Sequence, residues 1–151
     1  MESSIVKLGP HTDEATKKML QNVVTRKNKY EKVKQQHLII LWLSIFYGFS
    51  LSYFSYRTIV GPNDSSFYNI FFSFFTNTLY VFLFSIAIFL FVSAKILFDK
   101  KEKKEKEYHD LRCEIIDRSK DLWKEEAWKQ RHQIFELMKE EYDINLYHQS
   151  K

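Results

Sequence analysis

The sequence predicts an all-α fold, namely a two-pass transmembrane helical hairpin with long cytosolic helical extensions. Two uncharged apolar runs, residues 38–56 and 65–94, are nineteen and thirty residues long. A helix needs about 20 apolar residues to cross a hydrocarbon core of about 30 Å, so both runs are long enough. The rest of the chain is rich in Lys and Glu and almost free of Gly and Pro. Such a composition is typical of solvated helices, which places the extensions in the cytosol.

Residues 1–37 are expected to form a cytosolic N-terminal amphipathic helix. Asp13 and Glu14 precede a pattern of apolar residues, and most of the basic residues come later. Early acids and late bases suit the helix dipole, which predicts a helix over about 13–37 that continues into the first apolar run. A signal peptide is not expected, because that run begins only after 37 residues and no small-residue cleavage site follows it.

The hairpin is expected to occupy residues 38–97. Its helices are predicted at about 38–56 and 75–97, because thirty residues of helix would exceed the hydrocarbon thickness and the second run must begin at the outer interface. Residues 57–74 then form the outer loop and the interfacial start of the second helix. The sequence Gly-Pro-Asn-Asp at 61–64 suits a tight turn within this loop.

The orientation of the hairpin follows from its basic residues. Lys and Arg are concentrated before the first run and after the second, whereas the connecting loop contains only Arg57. Positive charge is retained on the cytoplasmic side of a membrane, so both termini are expected to be cytoplasmic. We also expect anionic lipid headgroups to contact these basic flanks.

A stripe of small residues in the first run is expected to pack helices together. Ser44, Gly48 and Ser52 recur every four residues and share one helix face, which lets a second helix approach closely. The second helix of the hairpin is the expected partner, with Asn77 offering hydrogen bonds across the contact. Homodimerisation through the same stripe and a ligand site are the alternatives. Neither membrane core contains a charged residue or a histidine, which disfavours an independent transporter.

Residues 98–151 are expected to form a cytosolic helical segment that bends near 119–128. Two apolar series at a spacing of seven lie on different faces, because Trp128 is roughly 240° around a helix from Leu122. The first series could pack on the N-terminal helix, and it consists of Tyr108, Ile115 and Leu122. The second is a candidate partner surface or part of the cytosolic core, and it consists of Trp128, Phe135 and Tyr142.

The sequence offers no catalytic, cofactor-binding or metal-binding residues that we can assign. His109 and Cys113 are four residues apart, but two ligands do not complete a zinc site. Cys113 is the single cysteine, which excludes an internal disulfide and fits a reducing cytosol. Phosphate-binding loops and catalytic triads have no counterpart here, so an enzyme is not expected.

A nucleic-acid-binding protein is not expected either. Residues 95–151 contain 14 basic and 14 acidic side chains, and the surplus of four positive charges comes from residues 1–37. That surplus lies beside the predicted membrane, where anionic lipid explains it.

Three segments carry a resemblance to a known family. They are Trp-Lys-Gln-Arg-His-Gln-Ile-Phe-Glu-Leu-Met-Lys at 128–139, Asp-Ile-Asn-Leu-Tyr-His at 143–148 and Thr-Lys-Lys-Met-Leu at 16–20. Together they resemble the YpbF-like family of small Bacillus-type membrane proteins. The resemblance implies a multi-pass protein of the bacterial cytoplasmic membrane in a family of unknown function, and it carries over no active-site residue.

The expected function is therefore that of a membrane-anchored interaction or scaffold protein that acts through its cytosolic helices. Its partner is expected to be another protein, not identified by the sequence, or a second copy of the chain. The alternative is an accessory subunit of a larger membrane enzyme or transporter, with the active residues on the partner. A membrane enzyme in its own right would need polar groups converging at the inner interface.

Overall fold

The computed structural model describes residues 5, 8, 12–60, 66–123 and 126–148, which contain helices and no β-strand. The prediction of an all-helical fold is therefore confirmed for this part of the chain. The predicted turn at 61–64 lies outside it. The helices are α1 (Glu14–Ser55), α2 (Phe67–Thr76), α3 (Thr78–Asp117), α4 (Ser119–Leu122) and α5 (Glu126–Tyr142), and a π-helical turn (Tyr56–Val60) follows α1.

Helix α1 begins where the acidic residues of the sequence predicted a helix start. The Asp13 carboxylate accepts a hydrogen bond from the backbone N–H of Glu14 at 2.8 Å, and the Asp13 carbonyl accepts one from Lys17 at 3.0 Å. Glu14 also forms an ion pair with Lys18 at 3.0 Å. The hydrogen bond and charge of Lys18 hold the pKa of Glu14 below its ordinary value, and a negative charge at this position suits the helix dipole.

The second apolar run is divided between two helices at Asn77. The Asn77 side-chain oxygen accepts a hydrogen bond from the backbone N–H of Leu79 at 3.0 Å, and its carbonyl accepts one from Tyr80 at 3.0 Å. Asn is a favoured N-cap residue because its side chain satisfies a backbone N–H that has no partner within the helix. Helix α3 therefore starts at Thr78, three residues later than the start predicted at 75.

The chain divides into two compact units, which we describe separately. The helical unit comprises Met1–Lys32 and Glu102–Lys151, and the apolar unit comprises residues 33–101. Helices α1 and α3 each contribute residues to both units.

The helical unit has a hydrophobic core built from α1, α3, α5 and the segment after α5. The rings of Tyr30 on α1 and Tyr108 on α3 stack with centroids 6.3 Å apart, and Arg26 donates a hydrogen bond to the Glu107 carbonyl at 2.9 Å. The core residues are Ile5, Leu20, Val23, Val24, Tyr108, Leu111, Ile115, Trp123, Ile134, Phe135, Met138, Ile144 and Leu146. The face of α3 that contains Tyr108 and Ile115 is thus covered within the unit itself.

In the apolar unit, α1 and α3 run antiparallel. Ring contacts join His37 to Phe98 and Phe54 to Tyr80, with centroids 5.6 and 5.9 Å apart. Between these pairs, the Tyr47 hydroxyl donates a hydrogen bond to the Leu83 carbonyl at 2.8 Å. Residue numbers rise along one helix as they fall along the other, which defines the antiparallel direction.

The apolar unit exposes most of its large side chains. Of the 27 exposed large hydrophobic residues in the described chain, 25 lie between residues 38 and 96. Both α1 and α3 are long and apolar enough to cross a membrane. In the most apolar 18-residue stretch of each helix, 0% and 6% of the residues are buried. The core helix of a water-soluble protein is mostly buried, and these two stretches are not buried in the structure.

Candidate functional site

The second aromatic series is divided by the fold. Phe135 is buried in the core, where its ring meets that of Trp123 edge to face at 5.5 Å. Tyr142 at the end of α5 is half-buried, whereas Trp128 near the start of α5 is 39% exposed. Phe135 is therefore covered by the protein itself, and it offers no surface to a partner. Of the three residues, Trp128 is the most exposed.

A surface cluster surrounds the buried Phe135, and we call it the Trp128 patch. The Arg131 guanidinium lies 3.7 Å from the centroid of the Trp128 ring and 5.2 Å from that of Phe135. On the other side, the Tyr147 ring meets Phe135 edge to face at 5.4 Å. The Tyr147 hydroxyl donates a hydrogen bond to the His132 carbonyl at 3.3 Å and lies 3.1 Å from the His132 Nδ1. The patch consists of Trp128, Arg131, His132 and Tyr147.

Sequence reasoning found Trp128 but missed the other three members of the patch. Arg131 and His132 follow Trp128 by three and four residues, a spacing that places them on the same face of a helix. That signal was present in the sequence. Tyr147 had no such signal, because it lies beyond the end of α5 and reaches the patch only through the course of the chain after that helix.

The chain after α5 is held by Lys27. The Lys27 ammonium donates hydrogen bonds to the carbonyls of Tyr142 at 2.7 Å and Asp143 at 2.5 Å, and it contacts the Asp143 carboxylate at 2.8 Å. Asp143 has a φ of 52°, and the Ile144 N–H bonds the Met138 carbonyl at 2.9 Å. A residue in the left-handed conformation just after the last turn is a common way to end a helix.

This helix ending directs the last described residues back onto the helical unit. Ile144 and Leu146 are buried in the core, so the chain between them is fixed at two points. Tyr147 follows directly and is 37% exposed. Lys27 also lowers the pKa of Asp143, first through its hydrogen bond and then through its charge. The position of Tyr147 in the patch therefore depends on a lysine from α1.

The helical unit also contains a buried charged residue. Arg112 is 5% exposed, and its charge acts on the neighbouring Tyr108. Burial raises the pKa of the Tyr108 hydroxyl, an effect that the charge of Arg112 partly offsets. The phenol therefore stays protonated at neutral pH.

The predicted small-residue stripe lies in the apolar unit. The Ser44 hydroxyl donates to the Ile40 carbonyl at 2.8 Å, which satisfies it within its own helix. Gly48 and Ser44 line a groove of about 350 Å³ together with side chains of α3, and no atom beyond its own stretch of helix lies within 4 Å of a Cβ placed on Gly48. Ser52 is exposed, as is Asn77, whose side-chain oxygen caps α3. Close packing of helices through these four residues stays a prediction.

Within the described residues, no group of three or more His, Cys, Asp or Glu side chains is placed to hold a metal ion. His109 and Cys113 are both half-buried. The arrangement that stands out in the helical unit is thus a surface of aromatic and cationic side chains, which is suited to binding another molecule.

Comparison with known proteins gives two matches. Residues 19–149 match the model of a family described as "Protein of unknown function (DUF2663)". The chain is 36% identical over 152 residues to the "Uncharacterized protein YpbF" of Bacillus subtilis (strain 168), and the alignment covers 100% of both proteins. No solved structure matches significantly.

Proposed function

Because this chain belongs to the DUF2663 family of proteins of unknown function, its role must be inferred from its own surfaces, and we propose that it is a membrane-anchored interaction or scaffold protein. In this proposal it crosses the bacterial cytoplasmic membrane twice as a helical hairpin, with both termini in the cytoplasm. The helical unit is then cytosolic and carries the surface that binds a partner.

The observation that carries the membrane part of the proposal is the location of the exposed apolar side chains. Between residues 38 and 96, 25 large hydrophobic side chains are exposed. Moving such a side chain from water into an apolar medium yields about 1.5–3 kcal/mol when the transfer is complete. Insertion of the apolar unit into a bilayer thus stabilises it by tens of kcal/mol, on the order that anchors a membrane protein.

The binding part of the proposal rests on the contrast with the helical unit. Among its described residues, Trp128 and Tyr147 are the exposed large hydrophobic side chains, and both belong to the Trp128 patch. Trp, Tyr and Arg are the residue types most enriched at the energetic centres of protein interfaces. Arg131 is stacked on Trp128, so part of its side-chain entropy is already lost before a partner binds.

Affinity capture from detergent-solubilised membranes tests this proposal. The double variant Trp128→Ala/Tyr147→Ala is expected to lose the partner that the unaltered chain retains, while its helicity and membrane insertion stay unchanged. The matched control is Lys139→Ala/Glu140→Ala, which alters two exposed residues of α5 outside the patch. If the double variant and the control retain the same proteins and the same self-association, the proposed binding surface is wrong.

The alternative function, an accessory subunit of a larger membrane enzyme or transporter, is favoured by a groove in the apolar unit. This groove has a volume of about 490 Å³ and is lined almost entirely by apolar side chains. A helix of a larger membrane protein could pack into it through shape complementarity. Its lining residues are Phe67, Phe71, Phe74, Phe75, Val81, Phe84, Ser85 and Ile88.

Two double variants distinguish these functions in the same capture experiment. Phe71→Ala/Phe75→Ala would release a transporter or enzyme bound through the groove, because it removes two aromatic walls. Trp128→Ala/Tyr147→Ala would release a partner bound to the cytosolic patch. A partner that depends on the groove alone would favour the accessory subunit.

A further inference from the structure

Three nitrogen-bearing side chains surround a single phenyl ring in the apolar unit. The ammonium groups of Lys95 and Lys101 lie 5.2 and 5.4 Å from the centroid of the Phe98 ring. The imidazole of His37 on α1 lies 5.6 Å from the same centroid, tilted by 56°. We call these four residues the Phe98 cluster. The negative face of the ring attracts cations, which keeps the two ammonium groups near it.

The surroundings of the Phe98 cluster carry a positive net charge. Residues 33–37 and 94–101 contain four lysines and one acid, Asp99, which gives a net charge of +3 with His37 neutral. Asp99 pairs with Lys95 at 2.8 Å, but both side chains are more than half exposed. An exposed pair at this spacing is weak, so it does not prevent Lys95 from binding an external anion.

The spacing of the cluster along α3 fits the thickness of a lipid headgroup layer. Lys95 directly follows the second apolar run, so in a bilayer it lies at the boundary of the hydrocarbon. Lys101 is six residues further along the helix, which corresponds to about 9 Å. A headgroup layer is about 5–8 Å thick on each side of the hydrocarbon. The two lysines therefore lie near the inner and outer limits of that layer, with Phe98 between them.

We propose that the Phe98 cluster is a binding site for the phosphate group of an anionic glycerophospholipid. This inference rests on the proposed membrane insertion. Lys95 and Lys101 contact the phosphodiester from two different depths in the headgroup layer. His37 donates a hydrogen bond to the same phosphodiester from the neighbouring helix. The Phe98 ring supplies an apolar surface for the glycerol and the first methylene groups. A free phosphate ion lacks that apolar part, so the site favours the lipid.

Native mass spectrometry of the full chain tests the site. The protein is reconstituted in vesicles made of equal parts of phosphatidylglycerol and phosphatidylcholine and then extracted with mild detergent, and the lipids that remain bound are counted. The unaltered chain is expected to retain phosphatidylglycerol in preference to phosphatidylcholine. Lys95→Gln/Lys101→Gln is expected to reduce that preference by about fivefold for each ammonium removed. Excess inorganic phosphate during extraction is expected not to displace the lipid.

Lys103→Gln/Lys106→Gln is the matched control, because it removes the same charge from exposed lysines of α3 outside the cluster. Its preference is expected to equal that of the unaltered chain. An equal loss in both double variants would overturn the site, because the effect would then come from general charge. Displacement by inorganic phosphate would overturn the lipid as the ligand. Failure of the unaltered chain to insert into vesicles would instead refute the proposed membrane function.

Discussion

Replacement of Lys27 by Met is expected to destabilise the helical unit far more than its position on a long polar helix suggests. The substitution keeps the length of the side chain but removes the ammonium. That group donates to the carbonyls of Tyr142 and Asp143 at the end of α5, and the Lys27 side chain is 13% exposed. The change therefore leaves two helix-terminal carbonyls without their charged donor.

The magnitude follows from these contacts. A hydrogen bond from a charged group contributes about 1.5–3 kcal/mol, and a cation at a helix C-terminus contributes up to about 2 kcal/mol when partly buried. Because water can replace part of what is lost, we expect a decrease of about 2 kcal/mol in the free energy of unfolding. In a domain of 60–100 residues this lowers Tm by roughly 8–16 °C.

Two measurements in detergent check this prediction on the full chain. Tryptophan fluorescence follows thermal unfolding, because Trp123 is buried in the core. Hydrogen exchange measured by mass spectrometry follows the segment after Met138, whose carbonyl accepts the hydrogen bond from Ile144. We expect a lower Tm and faster exchange in this segment, because the end of α5 is no longer held.

Lys29→Met is the matched control, because it removes the same charge from an exposed position on the same helix. It is expected to change Tm by no more than about 2–4 °C, as for an exposed charge. Equal Tm values for the two variants would refute the conclusion that Lys27 holds the end of α5. Faster hydrogen exchange throughout the helical unit, without a specific increase in the segment after Met138, would also refute it.

Four further predictions follow from individual contacts. Phe135→Ala is expected to lower the free energy of unfolding by about 3–5 kcal/mol, whereas Trp128→Ala lowers it by less than about 1 kcal/mol. Chemical denaturation of both variants measures the difference. Equal losses would contradict the assignment of Phe135 to the core. Asn77→Ala is expected to lower the free energy of unfolding by about 1 kcal/mol, whereas Asn77→Ser keeps most of that stability, because Ser also caps helices. An equal loss of helicity in both variants on heating would argue against the cap. Gly48→Ala is expected to leave Tm in detergent unchanged or to raise it by a few degrees, since no atom beyond its own stretch of helix lies within 4 Å of the added Cβ and Ala favours a helix more than Gly does. A marked drop in Tm would show that a helix packs there. Lys27 lowers the pKa of Asp143 below its ordinary value of 3.8. The Asp143 carboxylate therefore stabilises the fold above pH 3.8, and this contribution is lost as the pH falls through the lowered pKa. Asp143→Asn is expected to remove this acid dependence, and an unchanged dependence of stability on acid pH would contradict the ion pair.

The helices and the family were predictable because their signals are local. An uncharged run of about twenty apolar residues favours a helix. Helix α1 contains all but the last residue of the first run, and α2 and α3 divide the second run at Asn77. The two apolar series occupy different helix faces, and helix boundaries lie between them, because α3 ends at Asp117 and α5 begins at Glu126. The resemblance to the YpbF-like family is confirmed by the 36% identity to YpbF over the whole chain and by the DUF2663 match over residues 19–149.

The division of the aromatic series was not predictable from its spacing. Trp128 and Phe135 are seven residues apart and share a helix face, yet one is exposed and the other is buried. Phe135 is covered by Trp123 and Tyr147, which lie outside α5, and a helical period contains no information about such residues. Lys27 is a similar case, because its partners are 115 and 116 residues away in the sequence.

Asn77 shows how a single residue can support two interpretations. A polar side chain in an apolar run must find a partner, and the sequence predicted one across the helix contact. In the structure its side-chain oxygen caps the start of α3, and a hydrogen bond across the helix contact stays a prediction. The helix preceding Asn77 ends at Thr76, a boundary that composition did not reveal because both sides of it are equally apolar.

The orientation of the two spans is tested most directly by cysteine labelling in intact cells. Cys113 is replaced by Ser, and a single new cysteine is introduced at Ser66, which precedes α2, or at Lys103 on α3; both positions are exposed. A membrane-impermeant maleimide is expected to label Ser66→Cys before lysis and Lys103→Cys only after lysis. Labelling of Lys103→Cys in intact cells, or recovery of the protein in the soluble fraction, would contradict a two-pass hairpin with cytoplasmic termini.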